Sequence, residues 1–155
     1  VIWPSKGPPL LPMKAISALI DLLPLVTVVT PNLKEASCLS GVEVKSLNEM
    51  KEAARIIQKK MRRKQEQERW VLVKGGHLEG TPRDVLFNGK DFHVFSGKRV
   101  EGDFHGTGCV FSSAIAANLA LGFDVFPAVK NARRFIINAI HRANKPGSNS
   151  SYLNF

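Results

Sequence analysis

The sequence predicts an α/β fold in which a mostly parallel sheet, carrying one β-hairpin, is flanked by helices. Apolar, β-branched runs alternate with longer segments of helical periodicity, and this alternation is typical of parallel sheets covered by helices. Two of these runs, residues 25–30 (LVTVVT) and 70–76 (WVLVKGG), show little polar alternation, as expected of strands buried on both faces. The chain has 155 residues, 44% of them hydrophobic, which is enough for one domain with a core.

Three helices are predicted in the first half of the chain, over residues 12–24, 31–41 and 46–61. The first has apolar residues at helical spacing on one face, at Ile16, Leu19, Ile20 and Leu23. The second is short and follows a sharp turn at a proline, and Gly41 is a typical C-terminal stop. The third begins at Ser46 and Glu49, whose spacing is that of a capping box.

The second half of the chain predicts a hairpin and two further helices. Asn88 and Gly89 lie between two alternating runs within residues 83–97, which is a hairpin signal. The helices are predicted over residues 107–121 and 124–143, and residues 144–155 are predicted to form a loose tail. We therefore expect one folded part, residues 1–143.

Charge and cysteine usage narrow the class of protein. The formal net charge is +9, and much of the excess lies in residues 59–69 (KKMRRKQEQER). A helix end with cations near its negative pole accounts for this run, as would a surface that attracts anionic substrates. A nucleic-acid partner is not expected, because no aromatic residue interleaves the run. Two cysteines without metal or framework spacing favour a reduced, cytoplasmic protein.

Targeting signals are not expected in this sequence. No apolar run reaches the roughly 20 residues that a membrane helix needs, so no membrane partner is predicted. Prolines interrupt the first residues before the apolar region of a signal peptide could form.

Three short motifs follow predicted strands or begin a predicted helix. They are TPNLKE (30–35) after the first strand, KGGH (74–77) after the second, and HGTGC (105–109) at a helix start. In open α/β sheets, ligands bind beyond the carboxyl ends of the strands. The three motifs together therefore predict a ligand site.

The HGTGC motif allows two interpretations. Glycines let the backbone approach a ligand closely, and the free N–H groups at a helix start suit a phosphate or the charge that develops in phosphoryl transfer. Cys109 lies in the first turn, where the thiolate form is favoured, and could accept a proton from an attacking hydroxyl. The alternative is a small buried cysteine with glycines for packing, and spacing alone leaves both interpretations open.

Taken together, VVTPNLKEA, VLVKGGH and HGTGCVFSSAIAANLALG resemble the hydroxymethylpyrimidine/phosphomethylpyrimidine kinases of thiamine biosynthesis, a family of ribokinase-like kinases. The resemblance runs from the first residues to about Ala143 and corresponds to the C-terminal, nucleotide-binding half of such a kinase. It implies ATP- and Mg²⁺-dependent phosphorylation of a small molecule, 4-amino-5-hydroxymethyl-2-methylpyrimidine or its phosphate. Pyridoxal kinases of the same superfamily are the alternative.

The resemblance also implies catalytic roles in HGTGC. Cys109 would be the general base for the substrate hydroxyl. Gly106, Thr107 and Gly108 would form the anion hole for the transferred phosphoryl group.

Cofactor binding is implied for the other two motifs. Asn32 and Glu35 match the family's Asn-x-x-Glu motif, which organises Mg²⁺ and the phosphates, with Glu35 holding the metal through water. Lys74, with Gly75 and Gly76, would approach the nucleotide phosphates. Alternatively, Asn32 and Glu35 are a turn residue and a first-turn helix charge, and Lys74 is an exposed lysine at a strand end.

The chain departs from this family in its first residues and in length. Trp3-Pro4 stands where the family has Asp-Pro, and family members are nearly twice as long. The chain is therefore expected to be a fragment, a truncated gene product or one part of a split protein. An N-terminal half or a homo-oligomer would cover the open sheet edge. A non-catalytic remnant or association module is the alternative to an enzyme.

Overall fold

A four-stranded sheet forms the frame of the chain up to Arg99 in a computed structural model, which describes residues 10–12, 14–61, 68–100, 102, 104–143 and 151–154. The strands, in their order across the sheet, are β1 (Val28–Val29), β2 (Trp70–Val73), β3 (Arg83–Phe87) and β4 (Phe92–Ser96). β1 and β2 are parallel, whereas β2–β3 and β3–β4 are antiparallel pairs. The α/β class is confirmed. The sheet itself is mixed where a mostly parallel one was predicted, because the hairpin and its return to β2 supply two antiparallel pairs.

The predicted hairpin is confirmed as β3 and β4, which are joined by the four residues 88–91. Asn88 Oδ1 accepts hydrogen bonds from the backbone N–H groups of Lys90 (2.9 Å) and Asp91 (2.7 Å). Gly89 has a φ of 99°, a conformation that favours glycine. The Asn-Gly pair therefore closes the turn through the local chemistry that the sequence predicted.

The three predicted helices of this part of the chain are confirmed, with tighter bounds. They are α1 (Ala15–Leu22), which continues into a 3₁₀ turn at Leu23–Leu25, α2 (Leu33–Ser40) and α3 (Leu47–Met61). Gly41 ends α2 in the left-handed conformation. The capping box of α3 is present, since Glu49 Oε2 accepts from Ser46 N–H at 2.7 Å and Ser46 Oγ accepts from Glu49 N–H at 3.4 Å. Hydrogen bonds from the backbone N–H groups of Lys45 and Ser46 lower the pKa of Glu49.

The core of this part of the chain lies between α3 and the sheet. Its fully buried members include Met50, Ala53, Ile57, Val71, Val73 and Val85. All four residues of β2 are buried, as predicted for residues 70–76. Val29 and Val73, the last residues of β1 and β2, pack in or against this core. The motifs TPNLKE and KGGH follow directly after these two strand ends.

The prediction of a doubly buried strand over residues 25–30 was wrong. β1 contains only Val28 and Val29, and both are half-buried. The 3₁₀ turn of Leu23–Leu25, which contains Pro24, takes up the first residue of the predicted strand and leaves Leu25 54% exposed. β1 also lies at one end of the strand order, so that β2 is its one neighbour among the described strands.

The chain divides into two units, one ending at Arg99 and one beginning at Val100. The second unit contains β5 (Phe104–His105), α4 (Thr107–Ala120), α5 (Val125–His141) and β6 (Ser151–Tyr152). Both predicted helices are thus confirmed, and they pack against each other, with Asn131 Nδ2 donating to Asn118 Oδ1 at 3.0 Å.

Part of the predicted loose tail is a strand. Ser151–Tyr152 pairs in parallel with Phe104–His105. The rest of the tail, residues 144–150 and 155, lies outside the described residues, as do Trp3-Pro4 and residues 62–67 of the basic run. Within the described ranges, no helix combines the length and apolar character needed to cross a membrane.

Candidate functional site

Asn32 and Lys74 lie side by side where β1 and β2 end. They form an isolated parallel bridge, and Lys74 N–H donates to the Pro31 carbonyl at 2.8 Å. Two of the three sequence motifs, TPNLKE and KGGH, therefore meet at the same edge of the sheet, as predicted from the carboxyl-end rule.

Asn32 and Glu35 form a reciprocal capping box at the start of α2. Asn32 Oδ1 accepts from Glu35 N–H and Glu35 Oε2 accepts from Asn32 N–H, both at 2.9 Å. Glu35 is only 5% exposed, and the hydrogen bond from Asn32 N–H gives its buried side-chain oxygen Oε2 a partner. Both residues thus have the structural role that the sequence left open as an alternative. The capping box holds an amide and a carboxyl group together at the start of α2, and the backbone of Asn32 is paired with that of Lys74.

The glycines after Lys74 have different surroundings. Gly75 is buried, and a Cβ placed on it would lie 1.9 Å from the Arg83 carbonyl oxygen and 2.9 Å from Met50 Cε. Its N–H donates to Asp84 Oδ1 at 3.0 Å. Gly76 is exposed, and a Cβ there would meet no atom within 4 Å. Packing therefore requires glycine at position 75, whereas Gly76 leaves open space above the backbone.

Arg99 is a residue that the sequence analysis missed. Its guanidinium donates to the carbonyls of Gly76 (3.0 Å), Leu78 (2.5 Å) and Gly80 (3.3 Å), which belong to the loop after Lys74. No motif contains Arg99, and 23 residues separate it from Gly76. Only the return of the hairpin brings it to the loop, so a sequence signal for it was lacking.

The HGTGC motif lies in the second unit, at the start of α4. Gly106 is the N-cap with a φ of 82°, and Thr107 is the first helical residue. As a glycine, the N-cap residue has no side chain with which to cap this end of the helix. The Cys109 side chain is exposed, unlike the buried cysteine of the packing interpretation. Glycine at position 106 is therefore required by the backbone, and the first turn of α4 presents a thiol to the surface.

The predicted site residues fall into two groups by unit. Asn32, Glu35 and Lys74 to Gly76 belong to the first unit, and Gly106 to Cys109 belong to the second. Among the described residues, no three side chains of His, Cys, Asp or Glu cluster as a metal site would require.

Similarity to solved structures defines the class of protein. The chain superposes on a pyridoxal kinase of Bacillus subtilis, solved as an ADP complex, with a TM-score of 0.85 and 33% identity, covering 99% of this chain and 57% of that one. A phosphomethylpyrimidine kinase from Clostridium difficile superposes with a TM-score of 0.72 and 34% identity, covering 90% of this chain and 55% of that one. The fold is therefore that of the ribokinase-like kinases, as predicted.

Within this class, the chain belongs to the phosphomethylpyrimidine kinase family, whose family model matches residues 1–154. It is 38% identical over 137 residues to a hydroxymethylpyrimidine/phosphomethylpyrimidine kinase of Aquifex aeolicus, covering 87% of this chain and 51% of the relative. A thiamine biosynthesis bifunctional protein of Geobacter sulfurreducens is 40% identical over 157 aligned residues, covering 99% of this chain and 31% of the relative. The predicted family is confirmed, and the chain spans about half or less of these relatives' length.

Proposed function

We propose that this chain supplies the nucleotide-binding part of an ATP-dependent kinase that phosphorylates hydroxymethylpyrimidine or its phosphate in thiamine biosynthesis. The observation that carries the proposal is the junction of Asn32 and Lys74 at the carboxyl ends of β1 and β2. Polar groups fixed at this edge of an α/β sheet are typical of a nucleotide site. The pyridoxal kinase of Bacillus subtilis, which has the same fold, was solved with ADP.

The first unit would contribute binding groups for the nucleotide. Lys74 supplies a positive charge for the phosphates, and the open space above Gly76 lets a phosphate approach the backbone. Asn32 and Glu35 fit Mg²⁺, because this ion is usually held by one or two carboxylates together with water and phosphate oxygens. Glu35 would hold the ion through water, and the bound metal would neutralise phosphate charge.

The second unit would contribute the groups that act on the transferred phosphoryl. Gly106, Thr107 and Gly108 begin α4, and N–H groups at a helix start stabilise the charge that develops during transfer. The exposed Cys109 side chain would accept the proton of the substrate hydroxyl as that oxygen bonds to the γ-phosphorus and ADP leaves.

Pyridoxal phosphorylation is the second candidate. The specific observation in its favour is the TM-score of 0.85 to a pyridoxal kinase, compared with 0.72 to the phosphomethylpyrimidine kinase from Clostridium difficile. The family match and the curated relatives favour the pyrimidine. A non-catalytic role in association is the outcome if no nucleotide binds.

The apolar edge at β1 supports a partner for this chain. Leu22 and Leu25 are 51% and 54% exposed, and Val28 and Val29 are half-buried. An uncovered apolar strand edge invites pairing, so we propose that an N-terminal half of the kinase or a second copy covers it.

Cys38 and Cys109 are both free thiols, which supports a reducing, cytoplasmic location.

Nucleotide binding is tested by isothermal titration of the 155-residue chain with ADP and with Mg-ATP. We expect binding that Asn32→Ala and Lys74→Ala weaken. A folded chain that releases no heat and gains no thermal stability at saturating nucleotide would contradict the proposal. Phosphorylation is then assayed with hydroxymethylpyrimidine and pyridoxal side by side, with the N-terminal half of a family member added.

A further inference from the structure

The loop of residues 76–80, which follows Lys74 and Gly75, is held mainly by the side chain of Arg99. Gly76, His77, Glu79 and Gly80 are exposed, and Leu78 alone inserts into the core. Leu78 N–H donates to the Gly75 carbonyl at 2.9 Å, which closes the first turn of the loop. The three carbonyls of Gly76, Leu78 and Gly80 converge on the guanidinium of Arg99. An exposed loop with this few backbone bonds would otherwise sample several conformations.

Arg99 also places a positive charge beside this loop. Its three acceptors are neutral carbonyls, and in the described part of the chain no carboxylate lies within ion-pair distance of it. The planar guanidinium presents several donors in a fixed geometry, so that one side chain can bind three carbonyls at once. A lysine at this position would keep the charge but would lack this geometry.

We propose that Arg99 is a positioning residue for the nucleotide. It fixes residues 76–80 in the conformation in which the Gly76 backbone, two residues after Lys74, meets the phosphates. The inference rests on the proposed function, and it adds a residue outside the three motifs. Its physical basis is preorganisation, because a loop that is already ordered pays less conformational entropy when a ligand binds.

Arg69 is a matched control. Its Nη1 donates to the Val26 carbonyl at 3.0 Å, so it too is an arginine bound to backbone, but it is buried at the opposite end of the β1–β2 pair. The variants are Arg99→Ala, Arg99→Lys and Arg69→Ala in the full chain. The measurements are hydrogen exchange of residues 76–80 without ligand, ADP affinity by titration, and thermal unfolding.

We expect Arg99→Ala to accelerate exchange in residues 76–80 and to weaken ADP binding by about tenfold. Arg99→Lys should restore little of the loop protection, because a single ammonium cannot bind three carbonyls. Arg69→Ala should lower the unfolding temperature and leave loop exchange and ADP affinity within about twofold of the parent, because its contact is remote from the loop.

Two outcomes would overturn the inference. The first is that hydrogen exchange of residues 76–80 is unchanged in Arg99→Ala. The second is that exchange is accelerated but ADP affinity is unchanged. Either outcome would leave the proposed function intact. A parent chain that binds no ADP would contradict the proposed function before any variant is compared. It would also end the nucleotide role of Arg99, while loop exchange would still decide whether Arg99 holds the loop.

Discussion

Gly75 packs directly against the backbone of Arg83, so closely that a Cβ at position 75 would lie 1.9 Å from the Arg83 carbonyl oxygen. Backbone cannot move aside as a flexible side chain can, so Gly75→Ala should separate the end of β2 from β3. We expect a loss of about 1–3 kcal/mol in the free energy of unfolding, measured by urea denaturation.

Gly76→Ala is the matched control, because a Cβ there meets no atom within 4 Å. Its stability should stay within about 0.5 kcal/mol of the parent. If the Gly76 backbone approaches phosphate, ADP affinity should nevertheless fall. Equal stability losses in the two variants would contradict the packing account.

A second prediction separates the two roles of Asn32. Asn32→Ala removes the cap of α2 and should cost about 1 kcal/mol of unfolding free energy. Asn32→Asp keeps a capping oxygen and should stay within about 0.5 kcal/mol of the parent, but its negative charge should weaken ADP binding. ADP affinity unchanged in Asn32→Asp would leave the residue with a capping role alone.

A third prediction concerns the two thiols. Cys109 is exposed at the start of α4, whereas Cys38 is half-buried in α2. Alkylation at neutral pH, followed by mass spectrometry, should modify Cys109 about fivefold faster or more. Equal or reversed rates would remove the argument that the thiol of Cys109 is accessible for chemistry.

A fourth prediction concerns pH and the cap of α3. Backbone hydrogen bonds from Lys45 and Ser46 lower the pKa of Glu49 from its ordinary value of 4.5. The charged cap therefore adds stability above pH 4.5, and this contribution is lost as the pH falls through the lower pKa of the folded state. Glu49→Gln should unfold at a lower temperature than the parent at pH 7, and the gap should shrink towards pH 3.

Glu52→Gln removes one negative charge from the same helix without changing the cap, and it controls for net charge. If the difference in unfolding temperature between Glu49→Gln and the parent does not narrow in acid, the cap does not depend on the charge of Glu49.

The fifth prediction is that this chain alone has little or no kinase turnover. Positioning can supply roughly 7–11 kcal/mol of a barrier, and the resemblance implies that this chain corresponds only to the C-terminal, nucleotide-binding half of such a kinase. We expect the rate to rise at least about 100-fold when that half is supplied, in cis or as a separate chain. Steady phosphorylation by the isolated chain, abolished by Cys109→Ala, would contradict this.

The sequence predicted best where the determinants are local. The bounds of α2 and the start of α3 follow from capping residues and from Gly41, which act within one helical turn. The burial of β2 follows from its run of apolar residues. The extent of β1 could not be read in this way. The residues of β1 are good strand formers, but a strand needs neighbours, and a turn at Pro24 and a position at one end of the strand order shorten it.

The candidate site was predictable only in part, for a similar reason. Asn32, Lys74 and Cys109 belong to motifs, so their positions at a strand end or a helix start could be anticipated. The steric demand at Gly75 comes from β3, and the contacts of Arg99 span 19 to 23 residues. Both sets of contacts depend on how the β3–β4 hairpin folds back onto β2. The alternating sequence pattern predicts the hairpin, but it does not specify which residues the hairpin brings into contact.

The short strand β6 has a consequence for how this protein should be produced. Ser151–Tyr152 pairs with Phe104–His105, and Gly106 follows directly in the chain. The backbone that leads into the Thr107 helix start would be disturbed if the last dozen residues were trimmed as dispensable. A bulky purification tag fused to the C-terminus would have the same effect. Affinity handles are therefore better placed at the other end, and an inactive C-terminally shortened preparation would say little about the catalytic capacity of the intact chain.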